Sequence, residues 1–450
     1  MNFPILHIPV VGDGMTIALN AVLHVCISHG LAIGLMAMLV LFQTLTWKGK
    51  GQFWADIART LLGPLVIVTT SIGAVTGVGI WILTGSLAPE GIGALIHLFF
   101  WPWFIEWFAF TAEVILLLCY YYKWDKLITS KPATLAAIGW AYVATSIVSA
   151  ILITGILGFM LTPQGWPWAR SFTEAYFNPT FVPQVFLRVA GGLGIGVLLL
   201  MAWIAWRFKG TAHERGRALR ACGIALMLAL VVTAAASHVY FSRIPQTYLT
   251  HWKFAVATSH LSQMPDFLPA ANVGAVLVLL LAALAAYARR PLLCRLLCIP
   301  AILLSICFTM EFERVREFVR GPYLMPGYMH ASQITLVESE AMLAEDKPLL
   351  PRIRWAITGD GLPPATQAAK ALFAANCGVC HAESGINGID QRLAGRTADG
   401  INAMLGITQR LAPYMTPFVG SEQERTLLTE YLFQLASNYS RRIQQAAREK

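Results

Sequence analysis

The run Cys377-Gly378-Val379-Cys380-His381 carries the most specific chemistry in the chain. Two thiols about one helical turn apart can form two thioethers to one haem, and the next residue then supplies an imidazole to the iron. The second axial donor expected is Met415, in the loop Met415-Thr416-Pro417-Phe418, with Met404 as its competitor. His/Met ligation raises a haem's potential and suits electron transfer. A chance match or a zinc half-site is the bland alternative. It is disfavoured because the preceding helix, the spacing and the methionine loop agree.

A second set of chemistry-bearing residues sits inside apolar stretches, where burying a charge is expensive and an ionisable group is by default a functional candidate. His24 and His29 share one stretch; on an α-helix, positions five apart differ by about 140° and cannot share a ligand face. Glu106 and Glu113 share another, and positions seven apart stack on one helix face about 10 Å along the axis. Such a pair could bridge a haem site, with Glu106 as a metal ligand, and a proton path. His97 and His238 are weaker haem-related candidates. A dense charge cluster runs from Glu311 through Glu313, Arg314, Arg316 and Glu317 to Arg320. Without further argument it reads as an interfacial cluster.

The elements that must position these groups are set by composition. Of 450 residues, 56% are hydrophobic and 13% charged, with 14 Trp and 23 Phe, against about 25% charged in a soluble domain. Mean hydropathy is +0.60. Intrinsic disorder, a nucleic-acid-binding domain and a small disulfide scaffold are set aside. Apolar stretches near 16–44, 54–84, 92–122, 132–162, 181–207, 218–241, 270–288 and 292–312 each reach the roughly 20 residues a membrane helix needs. The fold class expected is all-α, a polytopic membrane helical bundle followed by a C-terminal soluble domain. A membrane part over 1–330, a linker over 331–360 and a soluble domain over 361–450 are the expected divisions. The first fifteen residues lack Lys and Arg, so they do not read as a cleavable signal peptide. Cys26, Cys119, Cys222, Cys294, Cys298 and Cys307 read as buried small hydrophobes.

Most of the net charge of +9 lies in alternate loops, at Lys48, Lys50 and Arg59, at Lys123, Lys126 and Lys131, at Arg207 to Arg220, and at Arg289 to Arg295. The other loops are poor, with Arg170, then Arg243 and Lys253. By the positive-inside rule both termini lie outside the cytoplasm, the side on which c-type haem is attached in bacteria. On this topology Glu106 is near mid-membrane and Glu113 deeper. His24, Arg188 and Glu317 converge in the outer half under the soluble domain.

The tail resembles a small class I cytochrome c. Residues 16–330 resemble subunit I of the cytochrome bd quinol oxidases. The resemblance rests on His24 within Ala21-Val22-Leu23-His24, on Phe104-Ile105-Glu106 through Glu113-Val114 to Lys123-Trp124-Asp125-Lys126, on Asn178-Pro179, and on Glu317-Phe318-Val319-Arg320-Gly321-Pro322-Tyr323. It implies that His24 and Glu317 ligate haem iron, with Arg320 in the same motif. Where the family places the His and Met ligands of its low-spin haem b, this chain has Arg188 and Asn272. Glu313 replaces a Trp and competes with Glu317 as ligand. The long quinol-binding loop is replaced by 243–271, and a cytochrome c domain stands in place of a ninth helix.

These features together imply a membrane-bound terminal oxidoreductase of the bacterial inner membrane, multi-pass, with a periplasmic cytochrome c domain. A periplasmic donor such as a soluble cytochrome c would reduce one covalent haem c. Two high-spin haems, b and/or d, would reduce dioxygen to water, with Glu106 and Glu113 relaying protons and Arg188 near haem propionates. The low-spin haem b and quinol oxidation are expected to be lost. A second membrane subunit and membrane lipid are the expected partners. A non-catalytic electron-transfer subunit, or a reductase of another small substrate such as nitric oxide, are the alternatives.

Overall fold

The computed structural model describes residues 8, 10–251, 267–356 and 364–449; Lys253 and the expected domain boundary at 360–361 lie outside them. Among the described residues, eight helices are long and apolar enough to cross a membrane. They are Asp13–Trp47, Phe53–Leu87, Phe100–Ser130, Pro132–Phe159, Phe172–Trp206, Ala212–Arg243, Pro269–Tyr287 and Pro291–Phe318, numbered here as spans 1 to 8. Their starts follow local chemistry. Pro132 and Pro291 occupy first-turn positions, where a missing N–H costs nothing. Span 6 opens on a capping box, with the Thr211 N–H donating to the Glu214 carboxylate and the Glu214 N–H to the Thr211 hydroxyl.

Two features depart from the expected spans. Span 3 begins at Phe100, because Phe99 has non-helical dihedrals (φ −112°, ψ 32°), and His97 belongs to a separate helix, Pro89–Leu98. Pro102 causes no kink; it sits in the first turn of span 3. Six residues into the helix, Glu106 is about 9 Å from that end. Inside span 1, Cys26–Leu35 is π-helical, and so is Thr69–Gly73 of span 2 beside it. A π-helix bonds i to i+5, so the α-helical angle between His24 and His29 does not hold there.

Spans 1 and 5 meet through glycine. A Cβ on Gly34 would lie 2.3 Å from the Gly192 carbonyl oxygen, and one on Gly196 2.2 Å from the Leu35 nitrogen. Small residues permit such backbone approach in membrane bundles. Gly196→Leu is therefore expected to abolish recovery of monodisperse protein in detergent. Gly191→Leu, where a Cβ meets nothing within 4 Å, should be tolerated.

The bundle's main apolar core includes Met36, Phe42, Ile57, Leu62, Leu200 and Cys298. Cys222 and Cys294 are buried as expected, but Cys119 and Cys307 are exposed on the bundle, where lipid replaces protein as the apolar neighbour. The basic loops gather at one face, where Arg59 pairs with Asp125 (2.8 Å) and Arg217 donates to the Lys50 carbonyl (2.9 Å).

The stretch expected to be a linker is folded. Tyr323–Met325 and Met329–His330 form a small antiparallel hairpin, followed by the helix Leu336–Ala344. Ile334, Met342, Leu349 and Ile353 are buried in one core with Leu372, Val419, Leu428 and Leu432 of the tail. The Glu424 carboxylate accepts from the Leu349 and Leu350 N–H groups (2.7 and 2.8 Å), satisfying backbone that burial would otherwise leave unpaired. Gln333 bonds to the Leu87 carbonyl and the Glu90 N–H, and Arg352 pairs with Glu90. These contacts hold the segment across the face opposite the basic loops.

Candidate functional site

At the end of span 8 the helix period places Glu313, Arg316, Glu317 and Arg320 on one stripe, since positions three and four apart are neighbours. Span 5 adds Arg188. Its guanidinium donates to the Glu313 carboxylate (2.5 Å), whose other oxygen accepts from Arg316 Nε (3.1 Å). Glu317 is held by Arg316 and Arg320. Arg188, Glu313, Arg316 and Arg320 are all buried. Arg188 is thus no interfacial residue reaching for water; it is one end of a ladder of three buried cations, the buried Glu313 and the half-buried Glu317. Arg188 Nε, Arg316 Nη1 and Arg320 Nη1 are buried without hydrogen-bond partners. Such donors, with a positive excess, suit buried carboxylates such as haem propionates.

His24 lies on the same side of the bundle. Its Nδ1–H donates to the Gly73 carbonyl (3.2 Å) in the π-helical turn of span 2, with the Thr76 hydroxyl also at 3.2 Å. A histidine whose Nδ1–H is anchored on a carbonyl presents the Nε2 lone pair, the arrangement that orients metal-ligating histidines. His29 Nδ1 bonds to the Ser28 hydroxyl (2.9 Å), and its Nε2 is buried without a partner. His238 is exposed and His97 lies on the preceding helix, so neither joins this cluster.

Glu106 and Glu113 do share one face, as expected. Glu106 accepts from the Ser149 hydroxyl (2.8 Å) and Glu113 from the Tyr142 hydroxyl (3.3 Å). The donors, themselves seven apart on antiparallel span 4, repeat the spacing of the acceptors. Both carboxylates turn toward span 4 rather than to the ladder on span 8.

Arg188 and Asn272, where the resemblance implied that low-spin haem ligands are lost, carry chemistry that does not fit an axial ligand. Arg188 is a permanent cation without a lone pair to offer. Asn272 donates from its amide to Glu311 (2.9 Å). Each is bonded to a glutamate of span 8.

In the tail, Cys377 and Cys380 follow the helix Pro364–Asn376, and the His381 N–H closes a turn on the Cys377 carbonyl (2.9 Å). His381 is half-buried with Nδ1 unpartnered. Burial and the Arg392 charge push its imidazole down to about 4, so at neutral pH it is the uncharged form that can ligate iron. Asn376, one residue before the motif, accepts from the Val419 N–H (2.9 Å) through its side chain, and the Thr416 hydroxyl donates to its carbonyl (3.3 Å). The Met415 loop is thereby tied to the Cys-bearing turn, while Met404 packs against the apolar core. Among the described residues no group of three or more His, Cys, Asp or Glu is gathered for a metal ion.

Arg316 was visible in the sequence only as a member of the charge cluster, and Gln184, Tyr240 and His251 carried no such mark. Arg316 bridges both glutamates, and the buried Gln184 and Tyr240 have side-chain polar atoms without partners. Gln184 stands one helical turn before Arg188, a spacing that could have flagged it. His251 bonds to the Val319 carbonyl (3.2 Å) and stacks edge-on to Tyr414, a contact with no local signal.

Residues 15–240 match the family model described as cytochrome bd terminal oxidase subunit I. Among solved structures, the bd oxidase from Geobacillus thermodenitrificans is similar in fold, with TM-score 0.60 and 18% identity over 72% of this chain and 90% of that one. No curated protein matches in sequence.

Proposed function

Because the chain belongs to the cytochrome bd terminal oxidase subunit I family, a family of membrane oxidoreductases, we propose that it is a haem-containing terminal reductase of the bacterial inner membrane fed by its own c-type haem. His24 and Glu317 would hold high-spin haem in the bundle, b or d and two in number. Cys377, Cys380, His381 and Met415 would hold one haem c. Bound there, these groups supply electron relay from a periplasmic donor such as a soluble cytochrome c, and reduction of dioxygen to water.

The chain's own residues do the rest. Arg188, Arg316 and Arg320 offer buried N–H groups to propionates, and the Arg188–Glu313 pair takes the place of quinol-linked haem ligation. Glu106 and Glu113, aligned on spans 3 and 4 by Ser149 and Tyr142, pass protons toward the haem end from the cytoplasmic face. Both termini would be periplasmic, and a second membrane subunit would cover exposed apolar faces of spans 3 and 7. The observation that carries the reading is the shared side: the Cys-bearing turn packs on the end of the bundle where the arginine–glutamate ladder ends.

Glu317→Ala is expected to remove carbon monoxide-reactive haem while leaving the c haem at its full amount, read by pyridine haemochrome and carbon monoxide difference spectra. An unchanged spectrum would refute Glu317 as a ligand. One c haem per wild-type chain with no carbon monoxide-reactive pigment would point instead to a non-catalytic electron-transfer subunit.

A further inference from the structure

The two loops that bear the tail's iron-ligand candidates both rest on the membrane bundle. On one side, the Ile386 N–H donates to the Val10 carbonyl (2.9 Å), and a Cβ on Gly14 would lie 2.2 Å from the Val379 carbonyl oxygen. On the other, a Cβ on Gly321 would lie 2.6 Å from the Tyr414 carbonyl oxygen, next to Met415. Between them, Cys380 lines a narrow crevice with Arg314 and Phe318 at the end of span 8, where the Arg314 guanidinium lies over the Phe318 ring (5.4 Å). A domain tethered for shuttling needs no such backbone approach. A side chain at 14 or 321 would prevent it, and both positions are glycine.

We infer that the tail is clamped rather than mobile: its Cys380 edge is held against Arg314 and Phe318, with Gly14 as a positioning residue, so that electrons leave the tail internally, into span 8 beside Glu317. The inference rests on the haem reading above. With haem held by Cys377, Cys380 and His381 and by the bundle, one electron would pass from the ferrous iron of the tail, leaving it ferric, to a ferric iron in the bundle, leaving that ferrous, with no proton or bond moved. The external donor is then left the faces of the tail turned away from the bundle.

The test uses full-length, haem-loaded protein in lipid nanodiscs. Gly14→Leu is expected to raise amide hydrogen exchange across 379–389 by on the order of tenfold, what one hydrogen bond and its packing are worth. It should slow electron return to the c haem after carbon monoxide photolysis of the mixed-valence protein, with both haem contents unchanged. Wild-type return should be insensitive to solvent viscosity. Unchanged exchange and return in the variant would overturn the clamp. So would viscosity-limited return in wild type, which remains decisive if Gly14→Leu does not fold. If wild type lacks the c haem, the haem reading fails; fast exchange at Ile386 in that same protein would separately sink the clamp.

Discussion

Replacing Cys377 and Cys380 together by Ala should leave no haem attached to the polypeptide after denaturation, a complete loss on a haem-stained gel. The argument is chemical: the two sulfurs are the only thioether donors in a turn closed by the His381 N–H on the Cys377 carbonyl. His381→Ala separates attachment from ligation. It keeps both sulfurs, so covalent haem should survive while the low-spin His/Met signature disappears. Because a ligand bound only by the folded form adds to stability, the double variant should also lower the melting temperature of the tail. That tail includes 331–356, whose Ile334, Met342 and Leu349 share its core. Covalent haem persisting in the double variant would overturn the assignment of the motif.

The second large effect is expected at Glu313. Substitution by Leu removes the carboxylate from Arg188, whose side chain is only 4% exposed, and leaves a buried cation without its partner. Breaking a buried pair from one side costs about 3–5 kcal/mol, whereas replacing both partners by apolar residues is often neutral or better. Glu313→Leu should therefore unfold or melt well below wild type, and adding Arg188→Met should recover most of the loss. Arg188→Met alone should cost less, because Glu313 keeps Arg316 at 3.1 Å. Melting of the three variants in detergent checks this order. Haem spectra of the recovered double variant then report whether Glu313 also ligates iron. If Glu313→Leu alone melts like wild type, the pair has no structural weight.

Much of the fold is legible in the amino-acid sequence. The Cys–Cys–His turn is chemistry at fixed local spacing, and the eight spans follow from hydropathy alone, since bilayer thickness sets helix length. The stacking of Glu106 over Glu113 needed only the helix period. All of these depend on residues near one another in the chain.

What the tertiary structure decided depends on residues far apart, or on small backbone departures with no compositional mark. Arg188 met Glu313 only when spans 5 and 8 were brought together, turning an apparent interfacial cluster into a largely buried ladder. The π-helical turns beside His24, and the break at Phe99 that moves Glu106 toward the end of span 3, come from local dihedrals that hydropathy does not sense. The segment 331–356, expected to be a linker, became core because Glu424 satisfies its backbone from far along the chain. Sequence by itself determined which chemical groups exist and which apolar helix carries each, because hydropathy marks the helices one by one along the chain. Which of them face one another is set by lateral packing, and that information lies only in the fold.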